Sequence, residues 1–127
     1  MDKVLLVTGG GRGIGAATAR RAAQDGWTVA VNYTAHSLSA DEVVRSIRAA
    51  GGNAITVQAD VADEAQVLRM FERIDAKFGR LGGLVNNAGV VDFSARLDEM
   101  DMDRWRRMFD INVLGSLLCA REAVRRM

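Results

Sequence analysis

The chain has 127 residues, 49% of them hydrophobic and 26% charged, with a net charge of +1. That length suits one domain with a real core, and the near-neutral balance gives no field that would gather nucleic acid or an anionic membrane surface. Cys119 is the sole cysteine, which excludes an internal disulfide, and no apolar run is long enough for a signal peptide or a membrane span, so a reducing, cytoplasmic setting is expected.

Lys3 to Thr8 is an apolar run ending in a polar residue, the pattern of a buried strand. Gly9, Gly10, Gly11, Arg12, Gly13, Ile14 and Gly15 follow and lead into a helix from Gly13 to about Asp25, with Ala16, Ala17, Ala19, Ala22 and Ala23 expected to face inward. Gly26 is its left-handed cap. Trp27 to Tyr33 reads as a second strand and Thr34 to Ser39 as polar loop. Ser39-x-x-Glu42 has the form of a capping box and opens a helix with Ala40, Val43, Val44 and Ile47 on one face, stopped by Gly51-Gly52.

Ala54 to Gln58 is a third strand, with Ile55 and Val57 on one face. Asp63-x-x-Gln66 resembles another cap, and Val67, Phe71, Ile74 and Phe78 recur at helical spacing before Gly79, a C-cap candidate. Leu84-Val85-Asn86 is a short fourth strand, and Val90 to Met100 is mostly loop. Asp101 or Asp103 caps a last helix carrying Trp105, Phe109, Val113, Leu117 and Ala120; Trp105, the methionines and Cys119 are expected in the core or at an interface.

Strict alternation of strand and helix implies an α/β fold, a doubly wound parallel sheet of the Rossmann type, here one half with strand order 3-2-1-4. Residues 1–127 are expected to form a single dinucleotide-binding domain. Thr8-Gly9, Asn32-Tyr33, Asp60-Val61 and the stretch from Asn86 to Gly89 all fall at carboxyl ends of strands, where such sheets bind ligands. A glycine turn between strand and helix exposes bare N–H groups at a positive helix end, chemistry suited to a pyrophosphate. By itself the turn also fits a mere tight connection, and its register is ambiguous. Gly11-x-Gly13-x-x-Ala16 matches one dinucleotide fingerprint, while Thr8-Gly9-x-x-x-Gly13-x-Gly15 matches another spacing.

Taken in order, Thr8-Gly9-x-x-x-Gly13-x-Gly15, Asp60-Val61, Asn86-Asn87-Ala88-Gly89 and Ile111-Asn112-Val113 resemble the successive signatures of the short-chain dehydrogenases/reductases. The resemblance covers the whole chain and favours the register through Gly9, Gly13 and Gly15. It implies that the Ile14 N–H binds pyrophosphate, with Gly11, Arg12 and their neighbours around it. It also implies that Asp60 accepts from the adenine amino group, that the Val61 N–H donates to the ring, and that backbone at Asn86, Ala88 and Gly89 approaches the adjacent ribose. Asn112 would sit where the last helix is distorted, its backbone holding a water in a proton relay, the one catalytic position within the chain.

Preference for NAD usually needs a carboxylate about 20 residues after the glycines. The second strand ends instead in Asn32, Tyr33 and Thr34, and Arg12 lies within the turn, so NADP is expected over NAD. His36 is the lone histidine, read as a surface loop residue, and no metal site is indicated.

The family's chemistry needs a tyrosine with a lysine four residues later, because the lysine lowers the phenol pKa from about 10 toward neutrality. The one tyrosine, Tyr33, is followed four residues on by Ser37, and the lysines are Lys3 and Lys77. The catalytic pair is therefore expected beyond Met127, and the chain alone is expected to be inactive. The resulting expectation is an NADP-dependent oxidoreductase passing hydride between nicotinamide and a small carbonyl or alcohol substrate. The resemblance suggests a homodimer or homotetramer, and no nucleic-acid or membrane partner is indicated. The alternatives are a non-catalytic dinucleotide-binding module and, more weakly, a mononucleotide or phosphate-binding domain.

Overall fold

The computed structural model describes residues 3–127. Four strands, β1 (Val4–Val7), β2 (Thr28–Tyr33), β3 (Ala54–Gln58) and β4 (Gly83–Val85), form one sheet in the order β3-β2-β1-β4. Every pairing is parallel, with Leu6 opposite Ala30 on one side and Leu84 on the other. The expected half of a doubly wound sheet is what the chain forms.

Helices α1 (Gly13–Gln24), α2 (Ser37–Ala49) and α3 (Glu64–Phe78) are the crossovers. After β4 come a 3-10 turn at Leu97–Glu99, helix α4 (Met102–Phe109), a π-helical turn (Asp110–Leu114) and helix α5 (Gly115–Arg126). The expected single last helix is thus two α segments joined by a wider turn, and Asn112 lies in that turn.

Alternate strand residues build two cores, as the two-residue period of a strand requires. Leu5, Val7, Val29 and Val31 pack with Ala16, Ala19, Val43 and Ile47 of α1 and α2. Leu6, Ala30, Ile55 and Val57 pack on the opposite face with Phe71 and Ile74 of α3 and with Cys119 and Ala123 of α5. Small residues on α1 let it lie close to the sheet, but Ala17 points outward, because it sits about 100° around the helix from Ala16.

The caps divide in an informative way. Asp63 accepts from the Gln66 N–H and Asp101 from the Arg104 N–H, so α3 and α4 start with side-chain caps. Neither α1 nor α2 has one. The expected Ser39-x-x-Glu42 box does not form. Helix α2 starts two residues earlier, at Ser37, and the Ser39 hydroxyl donates back to the His36 carbonyl at 3.3 Å. Tertiary contact accounts for this: Ala40 is buried against Gly11, where an added Cβ would come within 3.2 Å of the Ala40 nitrogen. Gly26 and Gly79 take positive φ values of 91° and 81° at the ends of α1 and α3, as their positions require.

Helix α5 carries one buried charge. Glu122 is 3% exposed and is held by Arg121 and Arg125 at 2.9 and 2.8 Å and by Arg126 at 3.0 Å. Arg126 also reaches Asp75 of α3 at 2.8 Å and lies over the Phe71 ring, and Arg121 reaches Glu64. Burial alone would raise the Glu122 pKa, but the bonds from Arg126 and Arg121 and the charge of Arg125 outweigh it and hold the carboxyl below its ordinary value. The cluster clamps α5 onto α3.

Candidate functional site

A cleft of about 550 Å³ opens over the carboxyl ends of the strands. Of the residues singled out from the sequence, Gly9, Gly11, Arg12, Gly13, Asn32, Tyr33, Thr34, Asp60, Val61, Ala88 and Gly89 line it. Ile14, Gly15, Asn86 and Asn112 do not line it but stand beside it.

The glycine turn is built around its neighbours. The Gly9 N–H donates to Asn32 Oδ1 at 3.0 Å and the Gly10 N–H to the Asn32 carbonyl at 2.9 Å. The Asn32 amide then donates to the carbonyls of Val57 and Ala59 at 3.2 and 3.1 Å. Asn32 is 1% exposed, so its side chain faces inward and ties the turn to β3. Thr8 does the same on the other flank. Its hydroxyl oxygen accepts from the N–H groups of Asn87 and Ala88, each at 3.0 Å. The Asn87 side chain donates back to the carbonyls of Thr8 and Gly9 at 3.1 and 3.0 Å. Sequence reading placed Asn87 only as one letter of its motif; its side chain is what closes the loop after β4 onto the turn.

Two glycines answer different needs. A Cβ on Gly15 would meet the Gly9 carbonyl oxygen at 2.5 Å and the Gly10 Cα at 3.1 Å, and would strike the Asn87 amide as well. Gly13 has φ +56° and nothing within 4 Å of the same added atom. Gly15 is therefore needed for close packing inside the protein, and Gly13 for its backbone conformation beside open space.

That open space faces the uncapped start of α1, where the first turn holds no acidic residue. Unpaired N–H groups and the positive helix end meet there. Ile14 projects outward, 80% exposed, and leaves its backbone reachable. These features fit a diphosphate. In the same cleft, the Asp60 carboxylate accepts from the Ala62 N–H at 3.0 Å and the Asp60 N–H donates to Gln66 Oε1 at 2.9 Å, which fixes the loop after β3. Thr34 Oγ1 donates to the Ala59 carbonyl at 3.4 Å.

Asn112 makes a two-way bond with Val90: the Val90 N–H donates to Asn112 Oδ1 at 2.8 Å, and the Asn112 amide donates to the Val90 carbonyl at 3.0 Å. Its own carbonyl accepts from Ser116 Oγ at 3.3 Å. The Asn86 side chain donates to the Ser116 carbonyl at 3.1 Å. The segment after β4 is thus stapled to the π turn. Wall residues given no role from the sequence include Ala35, Val90 and Arg107, while Ile111 enters there only as part of its motif. Arg107 and Ile111 carry a readable signal, since they are one turn apart on the same helical face.

No group of three or more metal-ligating side chains occurs among the described residues. No described helix is long and apolar enough to cross a membrane.

A parallel 3-2-1-4 sheet with a glycine turn over the switch between β1 and β4 defines a dinucleotide-fold protein. The sequence model of the short chain dehydrogenases matches residues 3–127, and the chain belongs to that family. It is 48% identical over 124 residues to the uncharacterized oxidoreductase YgfF of Escherichia coli (strain K12), covering 98% of this chain and 50% of that protein. A 3-oxoacyl-[acyl-carrier-protein] reductase of Synechocystis is 42% identical over 125 residues, with 98% and 50% covered. Among solved structures, a short chain dehydrogenase from Burkholderia cenocepacia J2315 in complex with NADP superposes with a TM-score of 0.92 at 41% identity, covering 97% of this chain and 50% of that one. The chain spans about half the length of the curated relatives it matches.

Proposed function

We propose that residues 1–127 form a single NADP-binding domain of an oxidoreductase that passes hydride between nicotinamide and a small carbonyl or alcohol substrate. The observation that carries this reading is the uncapped start of α1, facing open space at Gly13 within a cleft that has no carboxylate at the end of β2. The Ile14 amide and its neighbours would hold the diphosphate. Arg12 lines the same wall as Thr34 and His36, and a 2′-phosphate there would meet a cation and a hydroxyl. Asp60 and Val61 would hold the adenine, and backbone at Asn86, Ala88 and Gly89 its ribose. The solved relative holding NADP is consistent with this choice over NAD.

When bound, the nicotinamide supplies or accepts the hydride. Within this chain Asn112 is the one catalytic position: its backbone would hold a water in a proton relay, while its side chain fixes Val90 and the loop beside the cleft. The general acid that the chemistry needs is not supplied here: Tyr33 has no lysine four residues on. The chain by itself is therefore expected to bind cofactor without turnover. The outward apolar row Phe109, Val113 and Leu117 is suited to covering by a second subunit, in keeping with a homo-oligomer.

The test is a pair of titrations. Arg12→Ala should weaken NADPH roughly 10-fold, the size of one charge-assisted contact, and leave NADH nearly unchanged. Equal loss for both would remove Arg12 from the 2′-phosphate.

A further inference from the structure

The cleft carries a cation that the cofactor assignment above does not use. Arg107, an exposed residue of α4, lines the same cleft as Arg12, Asp60 and Val61. Ile111, one turn further on, is packed against the core cluster that contains Val61. Gly115, further along the same helical stretch, lies against Val61.

Its only ion-pair partner among the described residues is Asp92, and the bond is loose. Arg107 Nη1 lies 3.7 Å from Asp92 Oδ2, beyond hydrogen-bond distance. The same carboxylate oxygen is 3.9 Å from Arg104 Nε, which is buried and makes no hydrogen bond. Two guanidinium groups thus share one carboxylate. If Arg107 moved away, Asp92 would keep Arg104, whose side chain is the more buried at 19% against 56% exposed. Arg107 is the spare member of the pair, half in solvent, at the cleft.

We infer that Arg107 is a base-covering residue: its guanidinium plane leaves Asp92 and lies on the adenine ring held at the Asp60–Val61 wall. This rests on the dinucleotide reading above. The chemistry favours a flat π-system over a phosphate, because in the reading above the uncapped start of α1 and Arg12 already serve the anionic groups. A planar, weakly hydrated guanidinium stacks on aromatic rings, which an ammonium does poorly.

The test is binding of NADPH, NADH and adenosine diphosphate ribose to wild type, Arg107→Ala and Arg107→Lys, followed by calorimetry. Arg107→Ala should weaken all three by the same factor, roughly 3- to 10-fold, as for a partly desolvated cation–ring contact. Arg107→Lys should recover only part of the loss. Loss confined to NADPH would make Arg107 a phosphate contact and overturn the inference. Loss spared for adenosine diphosphate ribose would place it at the nicotinamide and overturn it too. Equal binding by wild type and either variant would do the same while leaving the dinucleotide reading in place. Failure of wild type to bind any of the three would remove that reading and this inference together. Arg107 is exposed on its helix, so unchanged melting temperatures are expected for both variants.

Discussion

A methyl group added at Gly15 tests whether the glycine turn is packed as described. In Gly15→Ala the new carbon would lie 2.5 Å from the Gly9 carbonyl oxygen and 3.1 Å from the Gly10 Cα, both main chain. It would also strike the Asn87 amide, which is not free to yield, because it donates to the Thr8 and Gly9 carbonyls. Overpacking of this kind costs about 1–3 kcal/mol, and loss of one Asn87 hydrogen bond adds about 1 kcal/mol. Alanine's better helix propensity returns roughly 0.5–1 kcal/mol. The net loss is about 2–3 kcal/mol, or on the order of 10 °C in melting temperature for a domain of this size. Gly13→Ala is the contrast. Its Cβ meets nothing, so stability should fall only by the cost of a left-handed residue, about 1 kcal/mol, while cofactor affinity falls much further. Thermal and urea unfolding monitored by circular dichroism measure the first quantity, and NADPH titration the second. Gly15→Ala within about 0.5 kcal/mol of wild type would refute the packing argument.

Three further outcomes are expected. Thr8→Val, which removes the acceptor shared by the Asn87 and Ala88 amides, should cost about 2–3 kcal/mol, whereas Thr8→Ser should cost under about 1 kcal/mol; equal effects in urea unfolding would show that the hydroxyl is idle. Glu122 has a folded pKa below its unfolded one, so it stabilises the protein above the ordinary carboxylate range, and that contribution is lost as pH falls through the folded value. Glu122→Gln should therefore be less stable at neutral pH, by about 2 kcal/mol, and show a shallower decline in acid; parallel pH profiles for the two proteins would contradict this. Burial raises the Cys119 thiol to about 11, so a thiol reagent at pH 8 should react only as fast as the protein opens, and rapid labelling of the native state would contradict its placement.

Much of the architecture was legible in the residues themselves. Short apolar runs ending at Thr8, Asn32 and Asp60 marked buried parallel strands, and Gly26 and Gly79 marked helix ends where positive φ is needed. Asp63 was legible as a cap because its bond is local, three residues long. What escaped was set by distant contacts. Ser39 has the local form of a cap, but packing of Ala40 on Gly11 starts α2 earlier. Alanine's helix preference says nothing about direction, so Ala17 was misplaced on the inner face. Asn87 looked like one polar residue among several, and only its reach across 79 residues to Thr8 reveals its part. Arg107 was hidden because a charge on an amphipathic helix ordinarily reads as solvated surface.

The most direct measurement is an amide NMR titration of the chain with NADPH. The account predicts large shifts at the amides of Gly13, Ile14, Gly15, Val61, Ala88 and Gly89, with the far ends of α1 and α2 unmoved. Absence of shifts at saturating NADPH, or shifts centred on the amino ends of the strands, would contradict it.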